Sequence, residues 1–183
     1  MGESDDEIQN RIAQSRNGDH AAFADVIRAY QQMVHSLTYR MTGSAADAQD
    51  LAQETFIRAY QQLHTFNGTS KFSSWLYRIA VNACLDWRRS EQRRQRLQAD
   101  WSDAHITADG GLELPTDEIS REVQAALMKL PDKQRAAIVL TTFGGLNHAA
   151  AAKTLRCSET TVSWRIFAAR RRLKKLLQPR RPA

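Results

Sequence analysis

The densest group of recognition chemistry lies near the carboxyl end, where Glu159, Thr160, Thr161, Ser163, Trp164 and Arg165 precede the run Arg170 to Arg172. Arginine pairs bidentately with guanine in the major groove, and a threonine methyl meets a thymine methyl. On the first turns of a helix these side chains reach base edges, while the later arginines hold phosphates and fix the register. The alternative for the same stretch is a helical hairpin with a solvated basic tail. A second group mixes aromatics with cations and an amide: Phe66, Lys71, Phe72, Trp75, Tyr77, Arg78, Asn82, Trp87, Arg88 and Arg89. Aromatic faces stack unpaired bases in any sequence while cations follow the backbone. Spaced aromatics on a helix also build cores, so Phe72 and Leu76 are assigned to the core and the polar flank to nucleic acid. A third group, Asp47, Asp50, Gln53 and Glu54, sets acidic and amide side chains on one helical face. That face suits a basic protein surface or plain solvent.

Chemistry of other kinds is missing from the sequence. No GxxxxGK[ST], HExxH or GxSxG pattern occurs, and His20, His35 and His148 have no partners at useful spacing. Cys84 and Cys157 form no CxxC pair and have no metal-ligand neighbours. The expectation is a protein that is not an enzyme, with no cofactor and no metal. The acidic start MGESDDEIQN is unlike a secretory signal, and no apolar run approaches the roughly 18 residues a bilayer crossing needs. A cytoplasmic protein is expected.

The elements that must position these groups are helices. Ile8 and Ile12 follow Asp5 and Asp6 and precede Gly18; Phe23, Val26, Ile27, Tyr30, Met33, Val34, Leu37 and Met41 recur at helical steps between a cap at Asp19 and a stop at Gly43. A third helix over Ala45 to Leu63 turns Leu51, Thr55 and Tyr60 inward. A fourth opens at Ser70 or Ser73 and carries Phe72, Leu76, Ile79, Ala80, Ala83 and Trp87 before running into arginines. Leu97 to Pro115, with Gly110-Gly111, reads as a linker whose 19 residues span up to about 60 Å when extended. Beyond it, Thr116 caps one helix, Pro131 stands as the first residue of another that ends at Gly144-Gly145, Asn147 caps a short alanine-rich helix to Leu155, and Ser158 caps a longer basic one. Short helix, three-residue turn and longer basic helix is the helix-turn-helix layout. The fold class is therefore all-α, with two small helical domains at 1–96 and 116–183 joined by a linker at 97–115.

Charge follows the same division. The chain of 183 residues carries a net charge of +6, but Arg165 to Ala183 alone holds eight basic and no acidic residues. Arg58 to Arg96 holds eight basic residues against Asp86 and Glu91, and Leu97 to Glu122 holds seven acidic residues against Arg121. Two cationic surfaces around an acidic connector fit two contacts with one polyanion, or two solvated helix faces.

Four segments in order, DAQDLAQETFIRAYQQL, TFNGTSKFSSWLYRIAVNACLDWRR, LPDKQRAAIVLTTFGGL and TTVSWRIFAARRRLKKLL, closely resemble the extracytoplasmic-function group of bacterial sigma factors over roughly residues 8 to 96 and 116 to 177. The resemblance implies a helical region 2, a linker in place of region 3, and a helical region 4. It implies that Asp47, Asp50, Leu51, Gln53 and Glu54 dock on the clamp helices of the largest subunit of core RNA polymerase, and that region 4 meets the flap of the second largest. It further implies that Phe66, Asn67 and Lys71 belong to a loop capturing a flipped minus-10 base, with Arg78, Asn82, Arg88 and Arg89 facing that element. Ser158, Thr160, Thr161, Ser163, Trp164, Arg165, Phe167, Arg170 and Arg171 match the helix reading the minus-35 element. An anti-sigma factor is the further partner implied, and no obligate homo-oligomer. The chain departs from the family where Ser163-Trp164 replaces a basic residue and serine, at Ala168, and in HAAAAKTL, which lacks the usual acidic pair.

Two other functions fit parts of the pattern. A stand-alone helix-turn-helix regulator would use the carboxyl-terminal helix and leave the acidic face idle, and an RNA-binding protein would use the aromatic and arginine cluster of the first domain.

Overall fold

The computed structural model describes residues 5–98 and 118–178. The Thr116 cap and all of the expected linker except Leu97 and Gln98 lie outside them. Eight α-helices follow one another among the described residues, with no strand. The amino-terminal half holds α1 (Asp5–Arg16), α2 (His20–Thr42), α3 (Ala45–Gln62) and α4 (Phe72–Gln98), with a 3-10 turn at Leu63–Thr65. The carboxyl-terminal half holds α5 (Glu118–Met128), α6 (Asp132–Ile138), α7 (His148–Leu155) and α8 (Glu159–Leu177).

Local chemistry sets several helix ends at or within a few residues of where the sequence placed them. Asp19 accepts from the Ala22 amide at 3.0 Å and Ser44 from the Asp47 amide at 3.3 Å, so each supplies an acceptor to a first-turn N–H that has no intrahelical partner. Asn147 caps α7 through the Ala150 amide at 2.8 Å, and Ser158 caps α8 through the Thr161 amide at 3.2 Å. Losing such a cap costs about 1 kcal/mol. Gly43 ends α2 at φ 77°, with its N–H on the Tyr39 carbonyl. That left-handed geometry suits glycine.

Four details differ from the sequence expectation. Tyr60 stands 36% exposed at the edge of the core, with its ring 4.9 Å from that of Phe23 and its hydroxyl 2.9 Å from His20 Nδ1; a phenol at a helix surface keeps its polar end wet. Pro131 is the N-cap of α6, at ψ 141°, and the first helical residue is Asp132. Past Ile138 the chain continues as a π turn, Val139–Phe143, so that Gly144 passes Tyr77, where a Cβ would lie 3.2 Å from the Tyr77 ring and 2.7 Å from the Leu140 carbonyl. The α4 helix also extends through Gln98, into the expected linker.

Val34, Leu37, Ala48, Leu76, Ala80 and Val81 are the interior of the first half; Leu127, Val139, Leu140, Ala151, Val162 and Ala169 are that of the second. Thr38 ties α2 to α3 by donating to the Ala48 carbonyl at 2.8 Å. The halves then pack on each other. The buried guanidinium of Arg135 donates to the carbonyls of Leu127, Met128 and Leu130 in its own half and to that of Met41 in the other. Gln124 reaches the Tyr39 carbonyl at 2.8 Å, and Arg40 lies 4.4 Å from the ring centre of Phe143.

Candidate nucleic-acid interface

The helix-turn-helix is built by packing and caps together. Val162, Ile166 and Ala169, spaced by four and three residues, are buried against the second-half core, which fixes the rotation of α8. That rotation leaves Thr160, Ser163, Trp164, Phe167, Arg170 and Arg171 exposed. Trp164 and Phe167 are 62% and 64% exposed, an apolar pair among the polar residues of the outward face in the first half of α8. The turn before α8 holds Arg156 at φ 48°, a left-handed non-glycine residue, while the Cys157 amide closes on the Ala152 carbonyl at 3.1 Å. Arg165 is half-buried and donates to Cys157 Sγ at 3.3 Å, and Ser163 Oγ lies 3.0 Å from His148 Nδ1. Thr161 is half-buried beside the Ser158 hydroxyl at 2.9 Å, so within the capping turn Ser158 and Thr161 are engaged with each other.

In the first half, the loop before α4 and the outer face of α4 form a second candidate surface. Phe66 is 3% exposed, with its ring edge-on to Phe72 at 5.3 Å and tilted against Trp75 at 5.6 Å. This trio is core, as the sequence assigned for Phe72; the Phe66 ring is a wall and not an open platform. Asn67 is exposed and its Oδ1 accepts from the Thr69 amide and hydroxyl at 3.2 and 2.7 Å, which holds the loop in shape beside exposed Lys71. Arg78 and Asn82, one turn apart on α4, line a groove of about 300 Å³ with Arg58, Lys153 and Arg156. Lys153 and Arg156 come from the other half, and sequence reasoning missed them because only the packing of the two halves brings them there. Arg88 is engaged by Asp132 at 3.3 Å, and Arg89 by Asp86.

The acidic face lies on α3. Asp50 and Gln53 are exposed, Asp47 and Glu54 half-buried, and Leu51 is buried at 6%. Leu51 thus anchors the segment whose neighbours project. Glu54 Oε1 accepts from Arg58 Nε at 2.7 Å, and this bond raises the Arg58 guanidinium above its ordinary pKa despite some burial. No cluster of His, Cys, Asp and Glu able to hold a metal occurs among the described residues, and no helix among them is long and apolar enough to cross a membrane.

Comparison with known proteins agrees with this division. Residues 26–94 match the family Sigma-70 region 2, and residues 120–173 match Sigma-70, region 4. The chain is 38% identical to the ECF RNA polymerase sigma factor SigW of Bacillus subtilis, over 93% of this chain and 97% of that protein. It is 34% identical to the RNA polymerase sigma-H factor of Pseudomonas aeruginosa, over 97% and 95%. Among solved structures it resembles CnrH in complex with the cytosolic domain of CnrY, at 28% identity and a TM-score of 0.65, covering 95% of this chain and 97% of that one. The sigma factor RpoE from Bartonella quintana, in complex with the anti-sigma factor NepR, shares the fold at 24% identity and a TM-score of 0.69, covering 87% and 98%.

Proposed function

From the premise that this chain belongs to the extracytoplasmic-function sigma factors of the sigma-70 family, we propose which of its surfaces carries each step of initiation. The protein is a non-enzymatic initiation factor that binds core RNA polymerase and directs promoter-specific transcription. Catalysis belongs to the polymerase.

Region 2 spans residues 1–96, an acidic linker 97–115 and region 4 116–183. Asp47, Asp50, Gln53 and Glu54 on α3 dock on the basic clamp helices of the largest subunit, with Leu51 packing behind them, and region 4 meets the flap of the second largest. The loop Phe66 to Lys71 receives a non-template base extruded from the minus-10 element. Arg78, Asn82, Arg88 and Arg89 hold the strand beside it. Unstacking a base costs a few kcal/mol, and a pocket that accepts the flipped base offsets that cost only after melting. The amino-terminal turns of α8 read the minus-35 element, with Thr160, Ser163, Trp164 and Phe167 facing base edges and Arg170 and Arg171 on phosphates. An anti-sigma factor is a further partner, and the protein works in the cytoplasm beside the polymerase.

The observation that carries this reading is the rotation of α8: its buried stripe leaves an exposed polar and cationic face on a helix-turn-helix. Permanganate footprinting of a promoter bound by the reconstituted holoenzyme tests the minus-10 assignment. Wild type opens thymines near minus 10, and Asn67→Ala with Arg78→Ala reduces that reactivity while polymerase binding persists; undiminished opening would refute it.

A further inference from the structure

Packing gathers cations that lie far apart in the sequence. Where α7 rests on α4, a groove of about 300 Å³ is lined by Arg58 and Arg78 from one half and by Lys153 and Arg156 from the other, and no carboxylate lines it. Arg58 is already met by Glu54 and Asp86. Arg78, Lys153 and Arg156 have no ion pair among the described residues. Like charges on facing walls repel, and an anion between them relieves that repulsion. The volume lies at the lower end of the range of small-molecule sites, about 300 to 1,000 Å³.

We propose that this groove is a binding site for a polyphosphate chain, either inorganic or carried by a nucleotide. Its lining selects against apolar ligands. The hydrophobic side chains in it, Trp75 and Ile79, are 5% and 8% exposed, so a ligand meets cations, amides and hydroxyls. Guanidinium and ammonium groups form charge-assisted hydrogen bonds to phosphate oxygens. Asn82, one turn from Arg78 on α4, adds a neutral donor. A second crevice shares Arg78 and Lys153 with the first and adds the hydroxyls of Ser70 and Ser74. Three cations along two joined crevices suit a chain of phosphates better than a single one.

Arg156 occupies backbone that an arginine adopts only at a cost. It is the C-cap of α7, at φ 48°, a left-handed conformation that glycine takes without steric penalty. The dipole at the carboxyl end of α7 favours cations, which accounts for Lys153 in the last turn. It does not account for a side chain with a Cβ at a left-handed position. Backbone held in a disfavoured region clusters at ligand sites, and here it carries a guanidinium to the groove. The site follows from the packing of the two halves and stands or falls apart from the DNA-facing assignments above.

Isothermal titration of the full-length protein tests this, with tripolyphosphate, orthophosphate and ATP as titrants in magnesium-free buffer at fixed ionic strength. Tripolyphosphate should saturate a single site and bind about tenfold or more tightly than orthophosphate, because it reaches cations on both walls. Lys153→Gln with Arg156→Gln should weaken it about tenfold, as expected when charged partners of a bound anion are removed. Lys174→Gln with Lys175→Gln removes the same charge from exposed positions of α8 outside the groove and should leave binding unchanged. Arg156→Gly removes one cation and frees the backbone at φ 48°, so it should weaken binding without lowering the Tm.

Tighter binding of ATP than of tripolyphosphate assigns the chain to a nucleotide whose base and sugar extend along the second crevice. Equal or weaker binding of ATP assigns it to an inorganic chain. Absence of saturable binding, or wild-type affinity in the Lys153 and Arg156 double variant, overturns the site. So does an equal loss in both double variants, since binding would then follow net charge alone. A short single-stranded DNA that the groove variant weakens, with no binding of tripolyphosphate, would give the groove to nucleic acid and overturn the polyphosphate site as well.

Discussion

The guanidinium of Arg135 donates a 2.6 Å hydrogen bond to the carbonyl of Met41, a residue 94 positions earlier in the chain. Arg135 is 1% exposed, and desolvation lowers its pKa, with Asp132 opposing that shift. Its charge is supported by the carbonyls of Leu127 and Met128 at the end of α5 and of Leu130 in the turn before α6, as well as by Met41.

Arg135→Met should therefore destabilise the whole chain. It removes the guanidinium from four carbonyls, of which that of Leu127 keeps the Leu130 amide at 3.0 Å, and the expected loss is about 3 kcal/mol or more, since hydrogen bonds to a charged group are worth about 1.5 to 3 kcal/mol each. Arg135→Lys, which keeps the charge but not the planar fork, should fall between. Urea unfolding measures both, and a loss below about 1 kcal/mol for Met would show that the network contributes little.

The network was legible only in part. The caps Asp19, Asn147 and Ser158 announce their roles through their own types and their neighbours, as does the stripe Val162, Ile166 and Ala169, because these depend on contacts a few residues apart. Arg135 looks like any surface arginine of an amphipathic helix until the C-terminus of α2 comes to rest over it. Asp132 with Arg88, and Lys153 with Arg78, are likewise products of packing between regions, which periodicity within one helix does not encode. Phe66 shows the converse: the sequence placed it correctly in the loop, but its ring belongs to the core beneath.

His35 makes stability depend on pH. It is 6% exposed, its Nε2 has no hydrogen-bond partner, and burial lowers its pKa from the ordinary 6.5. The unfolded chain then binds a proton at a higher pH than the folded one, so this contribution is full above about 6.5 and declines as pH falls toward the folded value. Thermal unfolding from pH 8 to pH 5 should show a falling Tm in wild type and a shallower fall in His35→Leu. Parallel curves would mean that His35 does not titrate within the fold.

The exposed face of α8 should separate affinity from sequence preference. Arg170→Ala should weaken binding to all duplexes and reduce the slope of log affinity against log salt by about one, the effect of losing one phosphate contact. Trp164→Ala should leave that slope unchanged and reduce discrimination between the cognate minus-35 sequence and a scrambled one. Electrophoretic titration of the holoenzyme at several salt concentrations reads both; a change of slope for Trp164→Ala would place it on the backbone.

The central claim is that this chain engages core RNA polymerase through the outer face of α3, and co-purification with core enzyme tests it most directly. Asp50 is exposed on that face, so Asp50→Lys reverses a charge without disturbing the core. Wild type should elute with the polymerase, and Asp50→Lys, with an unchanged circular dichroism spectrum, should elute apart from it. Retention of Asp50→Lys at wild-type strength would contradict the assignment of that face, and wild type that ignores the polymerase would contradict the account as a whole.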